Sequence, residues 1–467
     1  MSTLAKLTLL WALIPPTMAV AAAADGPVSK DRAAPPAGYE PVAALIDGDE
    51  GERRAAASKI LKTRDRALIP GLVDGAFFAR REARAEVFSV LAELAGEPLP
   101  AEYQAWVEWV GAHGGIVPKP GYRAFKAQLF SRIDPHFAGF LGPDQPLVIR
   151  AEEIVWGGVR RDGIPSLDDP PTVAAPAASY LQDDEVVFGV SLHGEQRAYP
   201  ARILSWHEMT NDVVGGRPIT LSFCTLCGSA VLYATGRTDG PARRFGTSGL
   251  LYRSNKLMYD RETGSLWTNL LGAPVTGPLV GKAAPLELLP LTRTTWKEWR
   301  ERHPATSVLS LAQPAGRQAG YRYQPGAADA ARRGVRFPVW QQSDRLPREA
   351  EIFALVANGE AKAYPLERLF TQRIVNDAVG GVEVVLLGNP EGGAVRAYRR
   401  DGHTFRLSEH AGEIVDQEGR PFRVEEEVLV GPEEDHPLRL PRHPGHTSFW
   451  FGWYGFYPQT AVYEPPG

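Results

Sequence analysis

Hydrophobic positions fall into two regimes along the chain. Between about residues 39 and 140 they recur at helical spacing. Ile69, Leu72, Val73 and Phe77 stand at i, i+3, i+4 and i+8, and Ala83, Val87, Val90, Leu91 and Leu94 repeat the stripe, with Gly96 placed to stop it. Short amphipathic helices joined by short loops are expected there, in a HEAT-like stack. Such a stack either caps the domain that follows or offers a docking surface to a protein partner. So few helices favour the cap, since a long solenoid groove needs more repeats. From about residue 149 the period shortens to two. Residues 186–192 and 196–199 flank His193-Gly194-Glu195, a hairpin signal, and 218–223 and 230–234 also read as strands. Between them, residues 203–210 read as a short helix closed before Asn211-Asp212, and Gly215-Gly216 marks a turn.

This strand-rich part carries an internal repeat. Residues 188–216 align without gaps on residues 353–381, and twelve of the 29 positions are identical. Ala198-Tyr199-Pro200, Asn211-Asp212 and Gly215-Gly216 return as Ala363-Tyr364-Pro365, Asn376-Asp377 and Gly380-Gly381. The copies also end alike: Trp296, Trp299, Pro304, Thr306 and Val308 have the spacing of Trp450, Trp453, Pro458, Thr460 and Val462. The expected fold class is therefore α+β. An all-α cap (39–140) precedes two tandem β-rich α+β units (149–312 and 335–467) related by a pseudo-twofold axis, with a Gly/Ala/Arg-rich linker at 313–334.

The ends and the composition narrow the setting. Lys6, an apolar run over residues 7–20 and four alanines (21–24) read as a cleaved secretory signal peptide at 1–24, followed by an Ala/Pro-rich lead-in at 25–38. A periplasmic or extracellular location is expected, with disulfides permitted. No later run reaches the roughly 18 apolar residues of a membrane span. A formal net charge of −4 argues against nucleic acid as a partner. Two cysteines exclude a disulfide-dense scaffold and any four-cysteine metal site.

The repeat works as an internal control on function. Features in both copies serve the shared scaffold: the Gly-Gly turns, the Asn-Asp pairs, and the tryptophans that fill the core at each end. Features in one copy are the site candidates. Cys224-Thr225-Leu226-Cys227-Gly228-Ser229-Ala230 aligns with a segment that has Asn389 and Gly392 in place of the thiols. Trp206-His207-Glu208 aligns with Thr371-Gln372-Arg373, so His207 is also confined to the first copy. The run Tyr259-Asp260-Arg261-Glu262-Thr263-Gly264-Ser265-Leu266-Trp267 has only a degenerate echo around Asp416 and Gly419.

These residues resemble the bacterial family catalogued as domain of unknown function 3179. The resemblance also takes in Ile154-Val155-Trp156-Gly157-Gly158-Val159, Asp162-Gly163-Ile164-Pro165 and the closing Trp450-Phe451-Gly452-Trp453, and it runs from about Ile149 to the C-terminus. Where the family has Cys-Pro-Leu-Cys-Gly-Ser-Ala, this chain has Thr225 for the proline. The resemblance implies no reaction, so the chemistry rests on the residues.

Three readings of Cys224 and Cys227 stand open. The leading one is a metal knuckle: two thiolates three apart share one ion, Gly228 lets backbone amides turn toward sulfur, and His207 is the nearest candidate for a third ligand. Zinc or copper is the expected ion, with Met209 and Met258 as weaker thioether donors suited to Cu(I), though both suit a core as well. The second is a dithiol–disulfide redox pair, although the residues after Cys227 read as extended and not as the helix that activates thioredoxin-type centres. The third is a small structural disulfide. Glu208 beside His207 is a candidate base partner. Asp260 and Arg261 are candidate acid–base or anion-binding groups, but Asp-Arg-Glu-Thr-Gly is also good turn chemistry, and a turn with a local ion pair is preferred. His436, His443 and His446 sit among prolines and are expected in a solvated loop.

Overall fold

The structure, a computed structural model, describes residues 33–238, 240–325, 337–410, 413–432 and 437–465. The signal peptide read at 1–24 lies outside the described residues, as does the lead-in up to residue 32. Seven helices between Glu40 and Leu141 form the N-terminal part. Their boundaries follow local chemistry. Asp49 and Glu52 close a reciprocal capping box at the start of Glu50–Thr63. Pro70 opens Ile69–Phe78, where a missing N–H costs nothing, and Gly96 ends Arg81–Ala95 in the left-handed region. The predicted stripes are buried apart from the half-buried Phe77, and their core is continuous with Leu250, Leu257, Leu266 and Val275. The helices thus pack on one face of a five-stranded antiparallel sheet that includes Phe245–Tyr252, Asn255–Asp260 and Leu266–Thr268.

The other face of that sheet meets a second one. Phe245, Met258 and Trp267 interdigitate with Met209, Val231 and Tyr233, the last three from strands Met209–Val214 and Ser229–Ala234 that flank Arg217–Cys224. Behind it, Leu221, Phe223 and Leu232 pack on the hairpin Val186–Leu192/Glu195–Pro200 and on helix Ala201–His207. The result is a stack of layers in which the central strands Ser229–Ala234, Phe245–Tyr252 and Asn255–Asp260 bury both faces, which is why the alternation in the sequence weakens toward the centre.

Residues 351–462 carry the same succession. Hairpin Glu351–Ala357/Glu360–Pro365 pairs Phe353 with Tyr364, as Val186–Leu192/Glu195–Pro200 pairs Phe188 with Tyr199. Helix Leu366–Gln372 follows, then strands Ile374–Val379, Val382–Asn389 and Ala394–Arg399. Val308 lies parallel beside Ala198, and Val462 beside Ala363. The shared residues make equivalent bonds: Tyr199 and Tyr364 donate to Asp212 and Asp377, Asn211 and Asn376 clasp the backbones of Phe245 and Phe405, and Trp299 and Trp453 donate to Thr306 and Thr460. The four paired tryptophans are fully buried.

Three local expectations change. The short helix ends at His207 and not at Thr210, because Glu208 turns left-handed and Met209 joins the sheet. Within the expected linker, residues 313–325 are anchored at a few points although most are exposed: Gln313 is buried, Pro314–Gln318 is helical, and the Tyr321 ring lies tilted 4.8 Å from that of Trp206. Of the histidines expected in a solvated loop, His446 is buried in strand His446–Phe449 and His443 is half-buried; His436 lies outside the described residues. Among the described residues no helix is long and apolar enough to cross a membrane.

Candidate functional site at the Cys224–Cys227 turn

Cys224 ends one strand and pairs with Ser229, the first residue of the next, so residues 225–228 form the connecting loop. Gly228 sits at φ +61, and a Cβ there would come within 3.1 Å of the Phe449 ring; glycine meets both demands. The loop brings the two sulfurs 2.6 Å apart. Both are buried, Cys224 at 1% and Cys227 at 0% exposure.

A second turn cradles the sulfurs. Strands Phe245–Tyr252 and Asn255–Asp260 are joined by Arg253 and Ser254, both left-handed (φ 47 and 65), the conformation of a two-residue type I′ hairpin that normally takes Asn and Gly. Tertiary bonds hold these unsuited residues there. Arg253 pairs with Glu153 and donates to the Gly455 carbonyl, while the Ser254 hydroxyl donates to the Pro338 carbonyl (2.9 Å). In return the Ser254 carbonyl lies 3.0 Å from the Cys227 sulfur, and the Lys256 amide donates to the Cys224 sulfur. Asn255 orients Ser229, whose hydroxyl reaches Cys227.

The third side is a buried ion pair. Glu208 accepts from Thr225 Oγ1 (2.6 Å) and lies 3.4 Å from Lys256 Nζ, which also donates to the Glu208 carbonyl (2.9 Å). The fourth side comes from the far end of the chain. The Phe449 amide donates to the Cys227 carbonyl (2.8 Å), and a Cβ on Gly452 would stand 2.7 Å from the Cys227 Cβ. Val339, Phe449 and Phe451 complete an apolar wall around both thiols.

These surroundings make the thiols unequal. Burial pushes Cys224 up, but the Cys227 thiol and the amides of Cys227 and Lys256 donate to it, and its pKa falls below the ordinary thiol value. Burial raises Cys227 well above that value, and the negative charge gathered on Cys224 raises it further.

The other sequence candidates divide sharply. Glu208 joins the thiols. His207 does not: its Nδ1 bonds the Pro165 carbonyl (2.7 Å) and its Nε2 the Tyr323 hydroxyl (2.6 Å), and burial lowers its pKa to about 4. Met209 and Met258 are fully buried core residues. Asp260 is a turn residue, accepting from the Thr263 amide and hydroxyl and from Trp267 Nε1. Arg261 forms a two-pronged pair with Asp162. Among the described residues no three His, Cys, Asp or Glu side chains gather as a metal would require. The donor set does not fit a metal knuckle built on Cys224, Cys227 and His207.

Sequence reasoning passed over Lys256 and Ser254. The tetrapeptide Tyr252-Arg253-Ser254-Asn255 carries no glycine to mark its turn, and nothing local tells that it folds over the thiols. The part played by Phe449 and Gly452 was foreshadowed only by their place in or beside the closing motif. A cleft of about 720 Å³ lies elsewhere. It is lined by groups such as Arg302, His303 and Glu426, and Glu426 is already saturated by Arg396 and Arg442.

Fold and site together define an α+β protein with one buried dithiol, walled in by a second β-rich unit that has none. The chain belongs to the family described as protein of unknown function (DUF3179), whose profile matches residues 161–460. Neither a curated protein nor a solved structure matches it.

Proposed function

We propose that Cys224 and Cys227 form a dithiol–disulfide centre that exchanges with disulfides or thiols outside the cytoplasm. The observation that carries this is the 2.6 Å separation of two unequal thiols, one with its pKa lowered and one with it raised. An attacking thiol with a lowered pKa beside a protonated partner is the arrangement such exchange uses. Equilibration in glutathione buffers, followed by acid trapping, alkylation and mass measurement, tests it. The expected result is a reversible two-electron transition with a potential above about −300 mV. A second reading, a structural disulfide, is favoured by the burial of both sulfurs; a bond that resists reduction in the native fold would establish it and displace the first.

The setting completes the proposal. The leader at 1–24 directs export, and an intact mass beginning near residue 25 is the expected signature. The two β-rich units (149–312 and 335–467) derive from one ancestral unit and are related by a pseudo-twofold axis, as their matched strand registers support. The HEAT-like helices serve as a cap, because their core is continuous with the adjoining sheet. Deleting residues 33–141 is expected to yield aggregated protein through exposure of Leu250 and Leu257. A soluble deletion product would favour the docking role instead.

A further inference from the structure

We infer that the buried Glu208–Lys256 pair sets the reduction potential of the Cys224–Cys227 centre, the carboxylate opposing a thiolate and the ammonium offsetting it. The inference rests on the dithiol reading and assigns a tuning role to two side chains outside the Cys-x-x-Cys run.

Three observations carry it. The pair is built into the cradle: Glu208 holds the loop through Thr225, and Lys256 holds Glu208 through both its carboxylate and its carbonyl. It is shielded, with side-chain exposures of 11% and 4%, so its charges act at low dielectric, where they are felt strongly. It has no counterpart in the second unit, where the position aligned with Glu208 is Arg373, which pairs with Glu391. A pair needed only for folding would be expected in both units.

Few other charges compete. On the helix side, His207 is neutral and bonded away from the sulfurs, and Tyr321 lies close enough to sense Glu208. On the hairpin side, Arg253 is matched by Glu153. The closing segment at residues 446–452 contributes one titratable side chain, His446, which burial keeps neutral.

The exchange itself balances without further groups. The Cys224 thiolate attacks a substrate disulfide RS–SR′, forms a Cys224–SR bond and expels R′S⁻. Cys227 then gives up its proton and attacks Cys224, expelling RS⁻. Two electrons leave the pair as the Cys224–Cys227 bond forms; the Cys227 proton goes to one released thiolate, and the other takes from solvent the proton that Cys224 gave up on ionising. A charge that stabilises the reduced thiolate raises the potential.

Opposite shifts on the two members are therefore the test, with Cys224 ionisation followed by thiolate absorbance against pH and the redox equilibrium by glutathione titration. Glu208→Gln keeps the shape and a bond to Thr225; it should lower the Cys224 pKa and shift the equilibrium at least tenfold toward the dithiol, about 30 mV upward. Lys256→Met should do the reverse, and the double variant should return near wild type. If Lys256→Met fails to fold, Lys256→Gln serves instead, with a shift in the direction expected for Met and opposite to that of Glu208→Gln. Variants that share the wild-type potential, or that both move one way, overturn the inference while leaving the dithiol reading intact. A wild-type pair that never titrates overturns the dithiol reading itself.

Discussion

His207 illustrates how one side chain can be important for a reason other than the one its sequence position invites. Its ring is sealed under Tyr323 and the Pro165 carbonyl, and its pKa is held near 4 by burial. The unfolded chain takes up a proton at this residue near pH 6.5, and the folded chain does not until about pH 4. The stability it supports is therefore complete above pH 6.5 and is lost as the pH falls toward 4, amounting to about 3 kcal/mol. Urea unfolding at pH 7 and at pH 4.5 should show wild type losing stability that His207→Gln does not lose. An equal pH dependence in both would refute the assignment. The same residue marks where reading by type failed. A histidine confined to one copy beside a cysteine pair looked like a ligand, but the ring direction is set by a tyrosine 116 residues away.

At the scale of elements, turns do most of the positioning. Asp260 closes its loop by accepting two bonds from Thr263 and holds Trp267, the bonds of a turn, whereas Arg261 pairs with Asp162, 99 residues earlier, and not with the local partner expected. Asp260→Ala is expected to lower unfolding free energy by about 1–3 kcal/mol, because it strands the buried Trp267 N–H, and to leave the Cys224 pKa unmoved. A shifted thiol pKa at unchanged stability would return Asp260 to the site. The helical stripes and the hairpin at residues 193–194 were legible because period and turn residues are local properties. The Arg253–Ser254 turn was not. Its left-handed residues are tolerated only through bonds to Glu153, Gly455 and Pro338, partners distant in sequence.

Across the whole molecule, the unit without cysteines closes over the unit that has them. Gly452 is the contact that leaves no room, its missing Cβ lying 2.7 Å from that of Cys227. Gly452→Ala should destabilise the fold by about 1–3 kcal/mol and loosen this wall. Alkylation of the reduced thiols under native conditions should then run at least tenfold faster than in wild type. Unchanged labelling with full destabilisation would mean that the route to the sulfurs opens elsewhere.

The sequence alone determined the periodicities, the repeated spacing of the two copies and the singularity of the cysteine pair, since each depends on spacing along the chain; the Asn-Asp pairs, expected in turns, lie in strands and bond to residues remote in sequence. Only tertiary structure decided what surrounds the sulfurs. Glu208, the Ser254–Lys256 turn and Phe449 arrive from three separate segments; donors aimed at sulfur lower the Cys224 pKa, while burial and the charge beside it raise that of Cys227. Thiol reactivity is set by the local field and by access, and neither is written in the spacing of two cysteines.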